Sequence, residues 1–330
     1  MGFSFKDIFG HQRETGILRA ALLNQRVAHA YLFAGNEGVG KMLTARAFAR
    51  ALNCEELLDG DSCSKCASCL AMDAGTHINL IMARPTEGYL RIDQIRDIQK
   101  ALKYRIERGS KVALIDGADS MRRDAQSAFL KTLEEPPAGT VIVLVASRPS
   151  MMLQTIVSRC QHISFSPLAC SFISMFLIER KGIGREDADL AAGLSSGSLS
   201  MAIKFVEEAN IQRAKRYLES LSLLSCEDSS LLLDLASEMS EDEELACALE
   251  LLKVWLRDAA VRRIKGDGAV FGEQAGWDKA DTRGLAYLFS EVENTIRLMG
   301  PPRNANKKLQ MEVLLMKFLD TRRGASRASL

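Results

Sequence analysis

Four groups of residues have types and spacings that could do chemistry. The first is GNEGVGKM, Gly35 to Met42, which follows the phosphate-loop pattern G-x-x-x-x-G-K-[ST] up to its last letter. Gly35, Gly38 and Gly40 let backbone N–H groups curl around phosphate oxygens, and Lys41 supplies a point charge. A helix opening near Lys41 adds the positive end of its dipole. At the eighth position a Ser or Thr hydroxyl would hold Mg²⁺, whereas the Met42 thioether is a poor ligand for so hard a cation. Thr44 comes two residues later and points elsewhere on a helix, so it does not substitute. The bland alternative is a glycine-rich turn with no ligand.

The second group is KVALIDGADSM. Asp116 ends an apolar run, where a Mg²⁺-side aspartate belongs, but the next residue is Gly117, which cannot act as a general base. Helix capping or a solvated loop is the other reading of Asp116 and Asp119. The third is CEELLDGDSCSKCASC, in which Cys54, Cys63, Cys66 and Cys69 follow the spacing C-x8-C-x2-C-x2-C. Four thiolates so close, in a reducing compartment, suit a tetrahedral structural Zn²⁺; free buried thiols are the alternative. No further ligand leaves an open position, and His77 belongs to the next loop, so the expected metal is structural rather than catalytic. Cys160, Cys170, Cys226 and Cys247 lack such spacing and read as core or boundary residues. The fourth is Arg159 in TIVSRCQ, which by itself reads as a salt-bridged surface arginine.

These groups need elements to hold them. Apolar runs at Tyr31–Ala34, Asn79–Ala83, Val112–Asp116, Val141–Ala146 and His162–Phe165 read as strands. Helical patterns at Lys41–Leu52, Asp93–Ile106 and Ala125–Glu135 lie between them, the last stopped by Pro136-Pro137. The alternation predicts a parallel sheet covered on both faces. After Pro167 the strand signal fades into Ser171–Arg180, Glu186–Leu194 and Leu199–Ala209, and then into amphipathic segments up to Leu251–Lys265 and Leu309–Leu319. The expected domains are therefore 1–166 with the cysteine module at 54–69, a small helical unit at 167–209, and an all-helical region at 210–330. Residues 321–330 read as a frayed tail. The chain has 330 residues, 47% of them hydrophobic, and a formal net charge of +1. That composition argues against disorder and against a protein that grips nucleic acid by bulk basic charge. With no signal-peptide pattern and no apolar run of membrane length, the cytoplasm is the expected location and no membrane is expected as a partner.

HAYLFAGNEGVGK, the Cys54 cluster, AFLKTLEEPP and TIVSRCQ occur in this order. Together they resemble bacterial DNA polymerase III clamp-loader subunits of the AAA+ class. IFGHQ resembles the family's adenine-side segment, GLSSGSLSMAIKF its lid helix, and NANKKLQMEVLLMKFL the last helix of its oligomerising collar. The resemblance implies an α/β AAA+ fold, with a RecA-like parallel sheet and zinc knuckle, followed by a small helical lid and an all-α collar. The family has ATP-hydrolysing gamma/tau motors and a non-hydrolysing delta-prime branch. This chain has Met42 for the motors' Thr or Ser, Gly117 for their Glu, Ser200-Met201 where the lid offers an Arg, and His77-Ile78-Asn79 for an HPD-like turn. Those departures match the delta-prime branch.

Ser158-Arg159-Cys160 matches the family's SRC motif intact. By resemblance Arg159 is an arginine finger, supplied in trans to the ATP site of a neighbouring motor subunit, and Ser147 sits at the sensor position. The resemblance further implies a stator in a five-membered ring that loads the sliding clamp on primed-template DNA. Gamma/tau motors and the delta subunit would be its neighbours. The cofactors implied are Zn²⁺ and, at a degenerate loop (Gly35, Gly38, Gly40, Lys41, Asp116), possible ATP or ADP. Neither ATPase nor polymerase activity is expected of this chain itself, and a polymerase label would describe the holoenzyme. Basic candidates for DNA are Arg122-Arg123 and the Lys103, Arg105, Arg108, Lys111 group; solvated faces are the alternative. The rival readings are an ATP-hydrolysing gamma/tau-like motor and an AAA+ module with a different repair client.

Overall fold

In a computed structural model of the chain, residues 4–86, 88–104, 108–207, 210–223, 229–265, 281–299 and 305–327 are described. Arg105, Ile106, Ala209, Cys226 and Asn304 lie outside them. The chain divides into two compact units: Met1–Phe172 with Gly197–Ser200, and Ile173–Ser196 with Met201–Leu330.

The first unit is built on five parallel strands: β1 (Ala30–Gly35), β2 (Leu80–Ala83), β3 (Lys111–Ile115), β4 (Thr140–Ala146) and β5 (Gln161–Phe165). Their order is β2-β3-β4-β1-β5. Strands β1, β3 and β4 are apolar almost throughout because both faces of the sheet are buried. The period of two sends Leu32, Ala113, Ile115, Ile142 and Leu144 to one face. Tyr31, Phe33, Val112, Leu114 and Val143 go to the other. The first face is covered by α4 (Ile92–Lys103), α5 (Arg123–Glu134) and the short α6 (Gln154–Val157), through Ile95, Ile98, Phe129 and Ile156. The second is covered by α1 (Gln12–Leu23) and α2 (Lys41–Leu52), through Leu18, Ala45 and Phe48.

All five expected strands form, as do the three helices between them. Helix α4 stops at Lys103, short of the expected Ile106, for a local reason. The Lys111 ammonium, from the start of β3, donates to the carbonyls of Ala101 and Tyr104, both at 2.8 Å. That cap buries Lys111 and removes it from the candidates for phosphate contact. Three helices of the unit were not expected from the sequence: α1, α3 (Ala67–Ala74) beside the cysteines, and the four-residue α6.

The second unit is helical. It holds most of α7 (Cys170–Lys181) and α9 (Leu199–Val206), with α8 (Arg185–Leu194), α10 (Asn210–Leu223), α11 (Ser229–Glu241), α12 (Leu245–Lys265), α13 (Thr282–Met299) and α14 (Lys307–Arg327). Leu251, Val254 and Trp255 of α12 are buried by the chain itself. Asp242 ties α10 to the end of α11, accepting a 2.7 Å bond from the Tyr217 hydroxyl and lying 3.4 Å from Arg213 Nε. Burial, reinforced by that carboxylate, raises the Tyr217 pKa. Among the described residues, no helix is long and apolar enough to cross a membrane.

Candidate functional site

The GNEGVGKM segment leaves β1 at Gly35 and enters α2 at Lys41, so the loop sits at the carboxyl end of a central strand with a helix N-terminus behind it. A cavity of about 820 Å³ opens there, large enough for a nucleotide. Gly38, Gly40, Lys41, Met42, Asp116, Gly117 and Ser147 all line it. The sequence thus named residues that the fold does bring together. The Lys41 ammonium folds back on the loop, donating to the carbonyls of Gly35 at 2.5 Å and Asn36 at 2.6 Å, with Ser147 Oγ at 3.3 Å. Burial lowers its pKa, against the opposing pull of Asp119, Glu37 and Asp116.

Other groups along the same walls are engaged within the chain. Met42 packs its side chain against the core under the loop. The Thr44 hydroxyl is spent on the Gly40 carbonyl at 3.0 Å. The Asp116 carboxylate lies 3.8 Å from Arg84. Ser200 comes within reach of the loop through its backbone, its N–H donating to the Gly38 carbonyl at 3.3 Å. Gly38 permits that approach: at φ +76°, an added Cβ would sit 1.9 Å from Ser200 Oγ.

Asp119, read from the sequence only beside Asp116, also lines the cavity. Its carboxylate accepts the N–H groups of Ser147 at 3.2 Å and Arg148 at 3.0 Å. The Ser147–Arg148 segment after β4 is therefore held by a side chain of this chain. No local pattern signals a pairing across 28 residues.

The four cysteines converge elsewhere in the unit, between α2 and β2. Their sulfurs all lie within 4.8 Å of one another. Zn–S bonds of about 2.3 Å put tetrahedral sulfurs about 3.8 Å apart, so the cluster could hold a metal such as zinc with small adjustments. Backbone N–H groups already point at sulfur: Cys63 N–H at the Cys54 sulfur, 3.2 Å, and Cys69 N–H at the Cys66 sulfur, 3.4 Å. The Lys65 N–H chiefly draws the Cys63 thiol down to about 6, whereas burial pushes Cys69 up to about 12. The insert is anchored by Asp61, whose buried carboxylate accepts the Ser4 hydroxyl at 2.6 Å and the Phe5 N–H at 3.1 Å.

His77 is not among the clustered ligands, as expected, but it supports them. Its Nδ1 accepts the Asn79 N–H at 3.1 Å, which leaves Nε2 to donate to Ser68 Oγ at 3.0 Å; Ser68 in turn donates to the Asn53 carbonyl at 2.6 Å. Burial lowers the His77 pKa below the usual imidazole value. A depressed histidine stabilises the fold above the unfolded value and loses that contribution as pH falls below it. The stability gap between the native chain and His77→Gln should therefore shrink between pH 7.5 and 5.5. Urea midpoints at the two pH values check this, and a constant gap would exclude the network.

Arg159 is not part of the cavity lining. It follows α6, with its Nη2 2.7 Å from the Glu134 carboxylate and its Nη1 donating to the Thr155 carbonyl at 2.8 Å. The salt bridge that the residue alone suggested is present.

Residues 10–169 match the family described as DNA polymerase III, delta subunit. A delta' subunit from Bacillus subtilis is 31% identical over 67% of this chain and 65% of its own length. A tau subunit from the same organism is 29% identical over 77% of this chain and 46% of its own length. A delta' subunit from Pseudomonas aeruginosa is 38% identical over 40% of this chain and 42% of its own. The chain is a member of the DNA polymerase III clamp-loader family. It spans between two fifths and two thirds of the length of these relatives. A solved gamma subunit-related protein from Thermotoga maritima aligns over 94% of this chain and 99% of its own, at 17% identity and a TM-score of 0.48.

The geometry of the Asp116-Gly117 step bears on whether a base could stand there. Gly117 has φ +59°, and an added Cβ would lie 2.9 Å from Pro85 Cγ. A glutamate placed there would have to adopt a left-handed conformation, at about 1–2 kcal/mol, and also displace Pro85. Gly117→Glu is expected to lower the thermal midpoint without producing ATP turnover, even combined with Met42→Thr. Turnover by the double variant, lost on adding Lys41→Ala, would show that the backbone adapts and the site is recoverable.

Proposed function

We propose that this chain is the stator-type, delta-prime-like subunit of a clamp loader, which helps load the sliding clamp on primed-template DNA. In this reading it does not hydrolyse ATP. Gamma/tau motor subunits and the delta subunit flank it in the ring, and Arg159 reaches into the ATP site of the neighbouring motor. Zn²⁺ at Cys54, Cys63, Cys66 and Cys69 is structural, and the complex works in the cytoplasm. The observation that carries the reading is a contrast within one unit. The chain's own cavity keeps Lys41 but has a thioether and a left-handed glycine where a Mg²⁺ ligand and a base would stand. Arg159, meanwhile, is present and partly exposed, its Nη1 donating to the Thr155 carbonyl and its Nη2 paired with the Glu134 carboxylate.

Helix α14 adds support for a collar. Leu309, Val313 and Met316 repeat at helical spacing on it and are 54%, 39% and 52% exposed. Such a stripe on a chain with a well-filled core fits burial against a neighbouring subunit. The test is clamp- and DNA-stimulated ATPase of the reconstituted loader with native chain or Arg159→Ala, with ring assembly checked by gel filtration. A drop in turnover with an intact ring upholds the reading; unchanged turnover sinks the finger.

A second reading, static nucleotide binding at the degenerate loop (Gly35, Gly38, Gly40, Lys41, Asp116), is favoured by the size of the cavity and the surviving lysine. Fluorescent ATP and ADP titration of the isolated chain, with Lys41→Ala as control, decides it.

A further inference from the structure

The arginine that would serve a neighbour is already held within this chain, and the way it is held has a consequence for the reaction in trans. The stretch from Leu153 to Cys160 is fixed at both ends by α5. At its start, Gln126 of α5 accepts the Leu153 N–H at 2.6 Å and donates to the Met151 carbonyl at 3.3 Å. Between the ends, Ile156 is fully buried, and Leu153, Val157 and Cys160 pack around the same core cluster. The Arg159 N–H donates to the Ile156 carbonyl at 3.1 Å. The backbone that carries the arginine is therefore rigid, and the long side chain is the part left to position.

Glu134 does that positioning. It is the last residue of α5, the end of a helix where a carboxylate is disfavoured by the dipole and a cation is favoured. Its Oε1 lies 2.7 Å from Arg159 Nη2, while Nη1 is bonded to Thr155 O. Two anchors on two different nitrogens fix the plane of the guanidinium. Among the described residues Nε makes no hydrogen bond, which leaves a donor edge for an oxyanion. Glu134 and Arg159 are 48% and 36% exposed, so the pair adds little to folding stability. A weak but oriented pair is what a residue that must meet a second anion requires.

We propose that Glu134 is the positioning residue for Arg159, holding its guanidinium ready for a phosphoryl group presented by the adjacent subunit. The proposal rests on the finger reading above. Without Glu134 the side chain regains rotamers that must be frozen again in each transition state, a cost equivalent to roughly 2- to 10-fold in rate. Because the loss concerns the transition state, kcat falls while KM for ATP stays.

The experiment is stimulated ATPase of the reconstituted loader with the native chain, Glu134→Ala, Glu134→Gln, Arg159→Ala and the Glu134→Ala/Arg159→Ala pair. Thermal midpoints and ring assembly are measured for each. The expected result is a lower kcat with unchanged KM in Glu134→Ala, recovery to near the native rate in Glu134→Gln, which keeps an acceptor oxygen, and a double variant no slower than Arg159→Ala alone. Native kcat in Glu134→Ala beside a slow Arg159→Ala would overturn the positioning role while leaving the finger in place. A faster Glu134→Ala would make the carboxylate a brake and overturn it too. No effect of Arg159→Ala would remove the finger, and the proposal with it.

Discussion

Arg159→Ala is expected to lower the stimulated ATP turnover of the reconstituted loader by about tenfold or more while leaving the ring intact. Arginines supplied in trans to phosphoryl transfer are worth about 10³–10⁵ in the GTPases where this is measured, because they meet charge that develops only in the transition state. The structure makes the variant a clean one. Arg159 is partly exposed, its backbone is held by α5 and the core, and its salt bridge is a surface pair worth under about 1 kcal/mol. The fold should survive its loss, so lost turnover reports chemistry. A drop equal to one site's share of the total would mean that the motors fire independently with the finger still assigned. Unchanged turnover would return attention to Lys41 and to hydrolysis by this chain.

The second large effect is expected at the cysteine cluster. Cys63→Ser/Cys66→Ser should take the bound zinc from one ion per chain to none by elemental analysis and lower the thermal midpoint of the first unit. Structural zinc contributes folding free energy outright, about 10 kcal/mol or more in small zinc domains. Here much of the insert is also held by other means: Asp61 binds the Ser4–Lys6 segment, and the Arg50–Asp73 pair joins α2 to α3 at 3.3 Å. A loss of about 4 kcal/mol, or roughly 10 °C, is the consequent expectation. ATP turnover in the assembled loader should follow the population of folded chain and show no separate catalytic defect. A native chain that carries no zinc and melts as the double variant does would leave the four thiols as ordinary side chains.

The two sites were legible in the sequence to different depths. The loop, the four cysteines and all five strands could be read because each is local. A phosphate loop is a run of eight residues between a strand and a helix, and a metal knuckle is a spacing of thiols. A buried parallel strand is a short apolar run. The same locality made Met42 and Gly117 readable as departures. Helix α1, helix α3 and the single-turn α6 were not read; α1 and α3 each pack against α2, a contact no local pattern encodes.

The residue types and spacings by themselves determined which chemistry this chain could carry: a lysine and glycines suited to phosphate, thiols suited to a metal, and an SRC arginine in the same chain as a phosphate-loop pattern that lacks its Mg²⁺ ligand. Tertiary structure alone decided how those groups are held. Asp119 meets Ser147 and Arg148, Glu134 meets Arg159, and His77 reaches Ser68 through pairings no short pattern encodes. It also decided that Gly117 is left-handed and pressed on Pro85. The physical reason is that hydrogen bonds and ion pairs act over about 3 Å of space. Which residues become neighbours in space is set by the fold; the β4–β1 pairing, for example, brings residues more than a hundred positions apart side by side.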